Sequence, residues 1–434
     1  MRLLAATVLG AVSALAASLV RLGFRGLEWC FTHTSRALPQ AAAGLSPLRR
    51  VLTPVAGALC AAAVLAARRA WLRHQGRPPD EFLDYVDSAQ HNGRRIPFAA
   101  NLWRTVSAAF SIATGAAVGR EGSMIQFAAA TESLLDRATR KRWSAWRPLS
   151  PAVALGCGVA GGVVAAYQAP WGAMFFAAEI VLRDLRPVRV LLPLACASWT
   201  GLAVARLLVE PGPLYPVGAL AWPGGSRGVE MLALSLGLAL SLGLLGPLYQ
   251  RTLRLFVAAR RLPLALAWGG LLVGLLAVRE PAVWGNGDIG LAHALGLATR
   301  PSLAPAATAL LVLLAVRLLA TSFQVGVGTV GGAFTPTLFA GAAAGALLAH
   351  AGGFPSLQTL LALAGMSALI AAVTHAPLMA ALVCAELTGA TGCLPMLLAA
   401  AVIASGVARR LSPHTLYGIA TPRPGRHEGH GSQI

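Results

Sequence analysis

The chain alternates between long apolar runs and short polar segments rich in arginine. Several runs exceed the roughly 18 residues that a helix needs to cross a bilayer, and leucine, alanine and glycine dominate them. The short alternating segments of a membrane barrel are absent. The pattern therefore predicts an all-α integral membrane protein. The predicted helical segments are residues 2–20, 51–67, 103–118, 151–182, 188–209, 229–248, 262–278, 304–323, a helix ending at 348, 360–387 and 394–407.

Two of these segments, and one polar segment between them, need a closer interpretation. Residues 2–20 follow a basic start, as in a signal peptide, but the run is long and Arg21 and Arg25 follow it, so we interpret it as a retained first helix. Proline inside residues 151–182 predicts two helices joined at membrane depth. The polar segment 68–104 is expected to be a solvated loop or an interfacial helix.

Composition and charge support the membrane assignment. Of 434 residues, 56% are hydrophobic and 12% charged, and the net charge of +19 comes almost wholly from arginine, with Lys141 the only lysine. The arginines cluster in loops at 68–77, 137–147, 183–189 and 251–261. Basic loops stay on the cytoplasmic side, which explains this distribution better than binding to nucleic acid does. The six cysteines stand singly, so we expect no metal site and no cofactor.

The sequence contains an internal repeat. Residues 158–170 match residues 365–377, both ending in Ala-Pro, and nine residues after each proline stands a lone acid, Glu179 or Glu386. We predict a first inverted repeat at 1–210, a loop at 211–228, a second repeat at 229–418 and a polar tail at 419–434. Chance similarity between Ala/Gly-rich helices is the alternative. Broken helices in duplicated halves are typical of transporters whose site lies between the repeats.

Residues 119–124 place charge inside an apolar region. Arg120 and Glu121 stand between glycines, and Ser123 reads as the first turn of a helix. A helix start leaves free N–H groups and partial positive charge, which attract an anion, and the carboxylate of Glu121 would itself be that anion. The functional interpretation is a gate at Glu121. The alternative is a Glu121–Arg120 pair at headgroup level.

Residues 332–336 form the counterpart in the second half. Glycines precede Ala333 and Phe334, and a proline follows in the next helix, so the free amides of these two residues are expected to face the same cavity. A plain kink is the alternative. Glu179 and Glu386 are interpreted as helix-end acceptors, with proton relay as the second possibility. Because no catalytic motif is present, we do not expect an enzyme.

Taken in this order, the motifs at 119–122, 169–170, 281–287, 332–336, 376–377 and 416–417 resemble the ClC family of chloride channels and chloride/proton exchangers, most closely a bacterial branch of voltage-gated chloride channels. The resemblance implies inverted repeats of tilted and re-entrant helices and homodimers with one pore per subunit, in the bacterial inner membrane. It implies a gating role for Glu121, anion binding by Arg120 and Gly122 and by the amides of Ala333 and Phe334, and a Tyr417 hydroxyl that closes the site from inside.

Departures from the family pattern refine this expectation. The inner Gly-Ser-Gly-Ile-Pro stretch is missing, and its nearest equivalent is residues 75–80, which lack a serine. At the position of the exchangers' inner glutamate stands Ile180, next to Glu179, and isoleucine holds no proton. The expected function is passive chloride transport with a glutamate gate. Proton-coupled exchange, with Glu179 as a possible relay, is the alternative.

Overall fold

A computed structural model describes residues 1–80, 82–91, 93–142, 149–218, 220, 225–297 and 306–417. The predicted tail at 419–434 and part of the basic loop at 137–147 lie outside them. The described residues are mainly helical, and the β-type pairing among them is one isolated bridge between Gly119 and Gly332. The helices are α1 Arg2–Thr32, α2 Leu38–Gly44, α3 Pro47–His74, α4 Tyr85–Gln90, α5 Phe98–Ala113, α6 Glu121–Arg142, α7 Pro151–Tyr167, α8 Pro170–Phe175, α9 Leu192–Ala205, α10 Gly225–Arg254, α11 Ala265–Arg279, α12 Asp288–Ala294, α13 Ala306–Val327, α14 Phe334–Ala351, α15 Gln358–Thr374, α16 Pro377–Thr388 and α17 Leu394–Leu411.

Eight helical stretches in the described part are long and apolar enough to cross a membrane, and four shorter apolar helices accompany them. The prediction of an all-helical membrane protein is confirmed. The first run is a helix, as predicted, and it extends to Thr32. It packs against α7 and α9. The most enclosed span is the one ending at Thr374, of which 89% is buried inside the protein, while leucines on the outer helices are exposed at the expected lipid surface.

The two halves break their helices in the same way. Gln168 follows the last residue of α7 and His375 follows that of α15, and both residues have left-handed backbone conformations with φ of 54° and 60°. Two residues later, Pro170 and Pro377 begin α8 and α16, where a missing N–H costs nothing. The predicted division of residues 151–182 is confirmed, and α8 continues as a π-helical stretch to Leu182.

Two glutamates join the halves by capping each other's short helices. The carboxylate of Glu386 accepts hydrogen bonds from the N–H groups of Trp171 (3.2 Å) and Gly172 (2.8 Å). The carboxylate of Glu179 accepts the equivalent bonds from Leu378 (3.3 Å) and Met379 (2.8 Å). Since these are the second and third residues of α8 and α16, the helix starts carry matched caps. The pairing has the symmetry that two inverted repeats require.

Close packing of the inner helices depends on small residues, as is usual between membrane helices. α14 and α15 cross at glycines: a Cβ on Gly345 would lie 1.9 Å from the Leu361 carbonyl oxygen, and one on Gly341 would lie 2.3 Å from that of Gly365. The two backbones therefore touch directly. This contact holds the middle of α14 directly against α15.

The polar segment between α3 and α5 differs from its prediction. Residues 75–80 are exposed as expected, and Asp80 pairs with Arg68 at 2.7 Å. Tyr85 and Val86, by contrast, are buried in the main core as the first turn of α4. The prediction of a fully solvated or interfacial segment is therefore wrong for this part, because apolar and aromatic side chains within it reach the core.

Candidate anion site

The two glycine-rich stretches that were predicted to begin facing helices lie against each other. The N–H of Gly119 donates to the carbonyl of Gly332 (2.6 Å), and the N–H of Gly332 donates to that of Gly119 (2.7 Å). A Cβ on Gly122 would lie 2.9 Å from the nitrogen of Gly332, so this approach requires glycine. The starts of α6 and α14 therefore meet in the middle of the protein, although 213 residues separate Glu121 from Phe334.

Both helix starts leave amide groups available. In α6 the first helical bond runs from Met124 N–H to the Arg120 carbonyl, and in α14 from Thr337 N–H to the Ala333 carbonyl. The N–H groups that precede these bonds, including those of Gly122 and Phe334, have no partner within their helices. Two partial positive charges thus converge on one region, which suits a dehydrated anion.

Glu121 lies at this convergence and is 5% exposed. Its Oε1 accepts a hydrogen bond from the side-chain amide of Asn286 at 2.8 Å, whereas its Oε2 is buried without a hydrogen-bond partner. The sequence suggested a pair with Arg120 as the alternative. In the structure the bonded partner is Asn286, and the half-buried Arg120 acts on Glu121 only as a nearby charge, together with Asp288.

A cavity of about 600 Å³ connects the predicted site residues. Its lining includes Glu121, Gly122, Ala333, Phe334 and Tyr417. Of the residues predicted to bind the anion, Arg120 is the one outside this lining. Its charge lies next to the cavity rather than on its wall.

Aromatic rings form the wall of the cavity around Tyr417. The ring centroid of Phe176 is 5.5 Å from that of Tyr417 and 6.1 Å from that of Phe334. Tyr167 packs on Phe334 at 5.3 Å, and its hydroxyl lies 3.2 Å from the Thr335 hydroxyl. The ring of Tyr85 is 6.3 Å from that of Tyr417. The hydroxyls within this apolar wall are the polar groups that an anion would meet there.

Three side chains of the site were not predicted. Asn286 follows α11 in a short loop, and neither its residue type nor its spacing indicated a bond to Glu121. Asp84 and Tyr85 line the cavity, whereas residues 75–80, taken from the sequence as the nearest equivalent of the family's inner stretch, are all exposed. That alignment is wrong. The signal that could have located the right segment is Asp84 itself, because aspartate commonly precedes a helix as its cap.

A second cavity of about 420 Å³ shares Tyr417 with the first. Glu179 and Ile180 both line it, together with His375 and Arg409. Glu179 is therefore both a cap of α16 and a wall of this cavity. Ile180 contributes an apolar surface where the resemblance places a protonatable residue in exchangers.

The broken helices, the paired helix starts and the cavity between them are those of a polytopic membrane protein with a site suited to a small anion. A family model described as "Voltage gated chloride channel" matches residues 56–409. The chain belongs to this family, the ClC proteins, whose members transport anions. It is 36% identical to the Escherichia coli "Voltage-gated ClC-type chloride channel ClcB", over 96% of this chain and 97% of that protein.

Solved structures of similar fold are also ClC proteins. A slow cyanobacterial Cl⁻/H⁺ antiporter matches with a TM-score of 0.77 at 20% identity, covering 96% of each chain. A CLC-type fluoride/proton antiporter matches with a TM-score of 0.73 at 20% identity, covering 96% of this chain and 98% of the other. At this identity the match establishes the fold, and the predicted ClC-type fold is confirmed.

Proposed function

We propose that this protein is a passive chloride channel in which Glu121 closes the anion path. The observation that carries the proposal is the position of the Glu121 carboxylate, which lies where the starts of α6 and α14 converge and lines the 600 Å³ cavity. A carboxylate at that point occupies the place that helix-start amides offer to a mobile anion. It is therefore placed to compete with chloride.

The proposed opening step is the displacement of Glu121. When ionised, the carboxylate is held by the amide of Asn286 and blocks the path. Protonation removes its charge, and the neutral group can leave, so chloride can take its place beside the amides of Ala333 and Phe334. Acid therefore favours opening. Tyr417 would contact the ion with its hydroxyl from the other end, Gly122 permits its close approach, and Arg120 adds positive charge nearby.

Two features favour a channel over an exchanger. Ile180 stands at the position where the resemblance places the exchangers' proton-carrying glutamate, and a hydrocarbon side chain carries no proton. The relatives that share 36% identity are described as ClC-type chloride channels.

The second candidate function is chloride/proton exchange, with Glu179 as the relay. It is favoured by the position of Glu179, which lines the second cavity together with Tyr417. The solved structures of similar fold are described as Cl⁻/H⁺ and fluoride/proton antiporters. The Glu179 carboxylate already accepts hydrogen bonds from two backbone N–H groups, which is a structural role. Exchange through Glu179 is therefore the weaker of the two candidate functions.

Chloride efflux from liposomes containing the purified protein, with simultaneous recording of pH, separates the two functions. A channel releases chloride down its gradient with no linked proton movement. An exchanger moves protons in a fixed ratio to chloride and uses a proton gradient to drive chloride uphill. Uphill chloride movement would contradict the channel and make Glu179 the residue to test, with E179Q as the variant.

We further propose an orientation and an assembly. Basic residues in the last turns of α3, α10 and α17 support an orientation in which these helix ends face the cytoplasm of a bacterial inner membrane, because positively charged segments stay on that side. In this orientation Tyr417 would also lie on the cytoplasmic side. As in the family, two copies would form a homodimer with one path each, which the mass of the detergent-solubilised complex tests. The function needs no cofactor and no enzymatic step, because the chloride ion is only moved.

A further inference from the structure

The cavity that contains Glu121 has a second acidic side chain, Asp84. Among the described residues that line it, Asp84 and Glu121 are the two carboxylates, facing the guanidinium groups of Arg69, Arg104 and Arg260. The proposed gating step uses Glu121 alone. A second negative charge on the wall of an anion path needs its own explanation, because it opposes the ion that the path carries.

Asp84 is held in place by a small hydrogen-bond network. Its Oδ1 accepts from the N–H of Val86 at 2.8 Å. On either side of it, the amide of Gln126 accepts from the N–H of Tyr85 (3.1 Å) and donates to the carbonyl of Leu83 (2.9 Å). Gln126 belongs to α6, the helix that begins at Glu121. One helix therefore fixes both carboxylates along the same cavity.

Asp84 lies toward the arginine-rich end of this cavity. The next residue, Tyr85, packs its ring against Tyr417 at 6.3 Å. Arg69 comes from the last turns of α3 and Arg260 from the segment after α10, the ends that the proposed orientation places in the cytoplasm. Asp84 thus stands at the inner part of the path, and Glu121 stands where the helix starts meet.

We propose that Asp84 is a second, inner gating carboxylate that repels anions when ionised and admits them when protonated. The proposal rests on the proposed anion path and adds a separate control at its cytoplasmic end. It assigns Asp84 a role in transport beyond capping α4.

The charged groups around Asp84 determine how its pKa shifts and therefore how chloride flux responds to pH. Asp87 acts on Asp84 from α4, and Arg104 acts on it from α5. Tyr417 faces Asp84 from the segment after α17. Burial raises the pKa of Asp84 to about 6, and this effect outweighs the hydrogen bond from Val86 and the attraction to Arg104, which lower it. As the pH falls through this value, the carboxylate becomes neutral and the repulsion ends. Acid on the cytoplasmic side therefore increases flux through Asp84.

The test uses the E121Q background, in which Glu121 no longer titrates. Chloride efflux from liposomes is measured across the range from about pH 7.5 to about pH 4.5. We expect E121Q to keep a residual acid activation of about two- to fivefold with a midpoint near the pKa of Asp84. Adding D84N should remove this residual response and raise efflux at neutral pH to the acid level. Adding D84S instead should also remove the residual response, and serine keeps a good cap on α4. The proposal can therefore be tested with D84S even if D84N fails to fold.

Asp87 offers a matched control. It lies three residues further along the chain, in α4, and is absent from the lining of the cavity, so E121Q/D87N should keep the residual response. The midpoint should move to slightly lower pH, because the charge of Asp87 raises the pKa of Asp84. If the residual acid activation survives in both E121Q/D84N and E121Q/D84S, or if E121Q alone shows none, the inner gate is contradicted. Failure of the Glu121 gate gives a different result, namely a pH response in E121Q as large as in the wild type.

Discussion

At the scale of single residues, the bond between Asn286 and Glu121 decides how firmly the path is closed. The donor comes from a loop 165 residues away in sequence, and it satisfies only one of the two carboxylate oxygens. A hydrogen bond to a charged group contributes about 1.5–3 kcal/mol of stabilisation. The other carboxylate oxygen is buried without a partner, which costs free energy rather than stabilising this conformer. Asn286 therefore supplies the side-chain hydrogen bond that holds the Glu121 carboxylate in the described part of the chain, and its loss should make the carboxylate easier to displace.

Replacing Asn286 with alanine tests this contact. We expect N286A to raise chloride efflux at neutral pH by about tenfold or more, because the conformer that blocks the path loses about 1.5–3 kcal/mol. The measurement is efflux from liposomes, compared between N286A, E121Q and N286A/E121Q. In the E121Q background the Asn286 change should add little, since the carboxylate is already gone. An equal rise in both backgrounds would show that Asn286 acts independently of Glu121.

At the scale of helices, the exchanged caps of Glu179 and Glu386 join the two halves. Each carboxylate satisfies two N–H groups that α8 or α16 cannot satisfy internally. The environments differ, because Glu179 lines the second cavity together with Arg409 and Glu386 is absent from that lining. If the role is structural, substitutions at both positions should have equal effects. If Glu179 also acts in transport, only substitution of Glu179 should change transport.

Alanine and glutamine variants at the two positions separate these roles. E179A and E386A should each lower the free energy of unfolding by about 1–3 kcal/mol, because two N–H groups at a helix start lose their acceptor. Thermal unfolding in detergent measures this, with E230A, at an exposed glutamate, as the unchanged control. E179Q and E386Q should both conduct chloride with no linked proton movement. Loss of proton movement in E179Q alone would support the exchanger.

At the scale of the whole molecule, local pattern predicted most of the long apolar helices, and the repeat indicated which broken helices correspond in the two halves. The breaks at Pro170 and Pro377, and the meeting of the stretches around Gly119 and Gly332, follow from duplicated signals in the sequence. Asp84 and Asn286 escaped prediction because their importance comes only from contacts between distant segments. α4 was misjudged for the same reason: its polar composition indicated solvent, but tertiary packing buries Tyr85.

The meeting of the two halves explains why the Glu121 carboxylate can close the path. Two helix starts are brought together by the glycine pair 119 and 332, and the field of both falls on Glu121. Charge at this point competes with chloride for the amides of either half. Removing the charge of Glu121 should therefore open the path.

The most direct test of that claim is the pH dependence of chloride efflux in E121Q. We expect E121Q to show high efflux already at neutral pH and to lose most of the acid activation seen in the wild type, while E230Q, at an exposed glutamate, behaves like the wild type. Wild-type efflux at neutral pH together with an unchanged acid response in E121Q would show that Glu121 does not close the path.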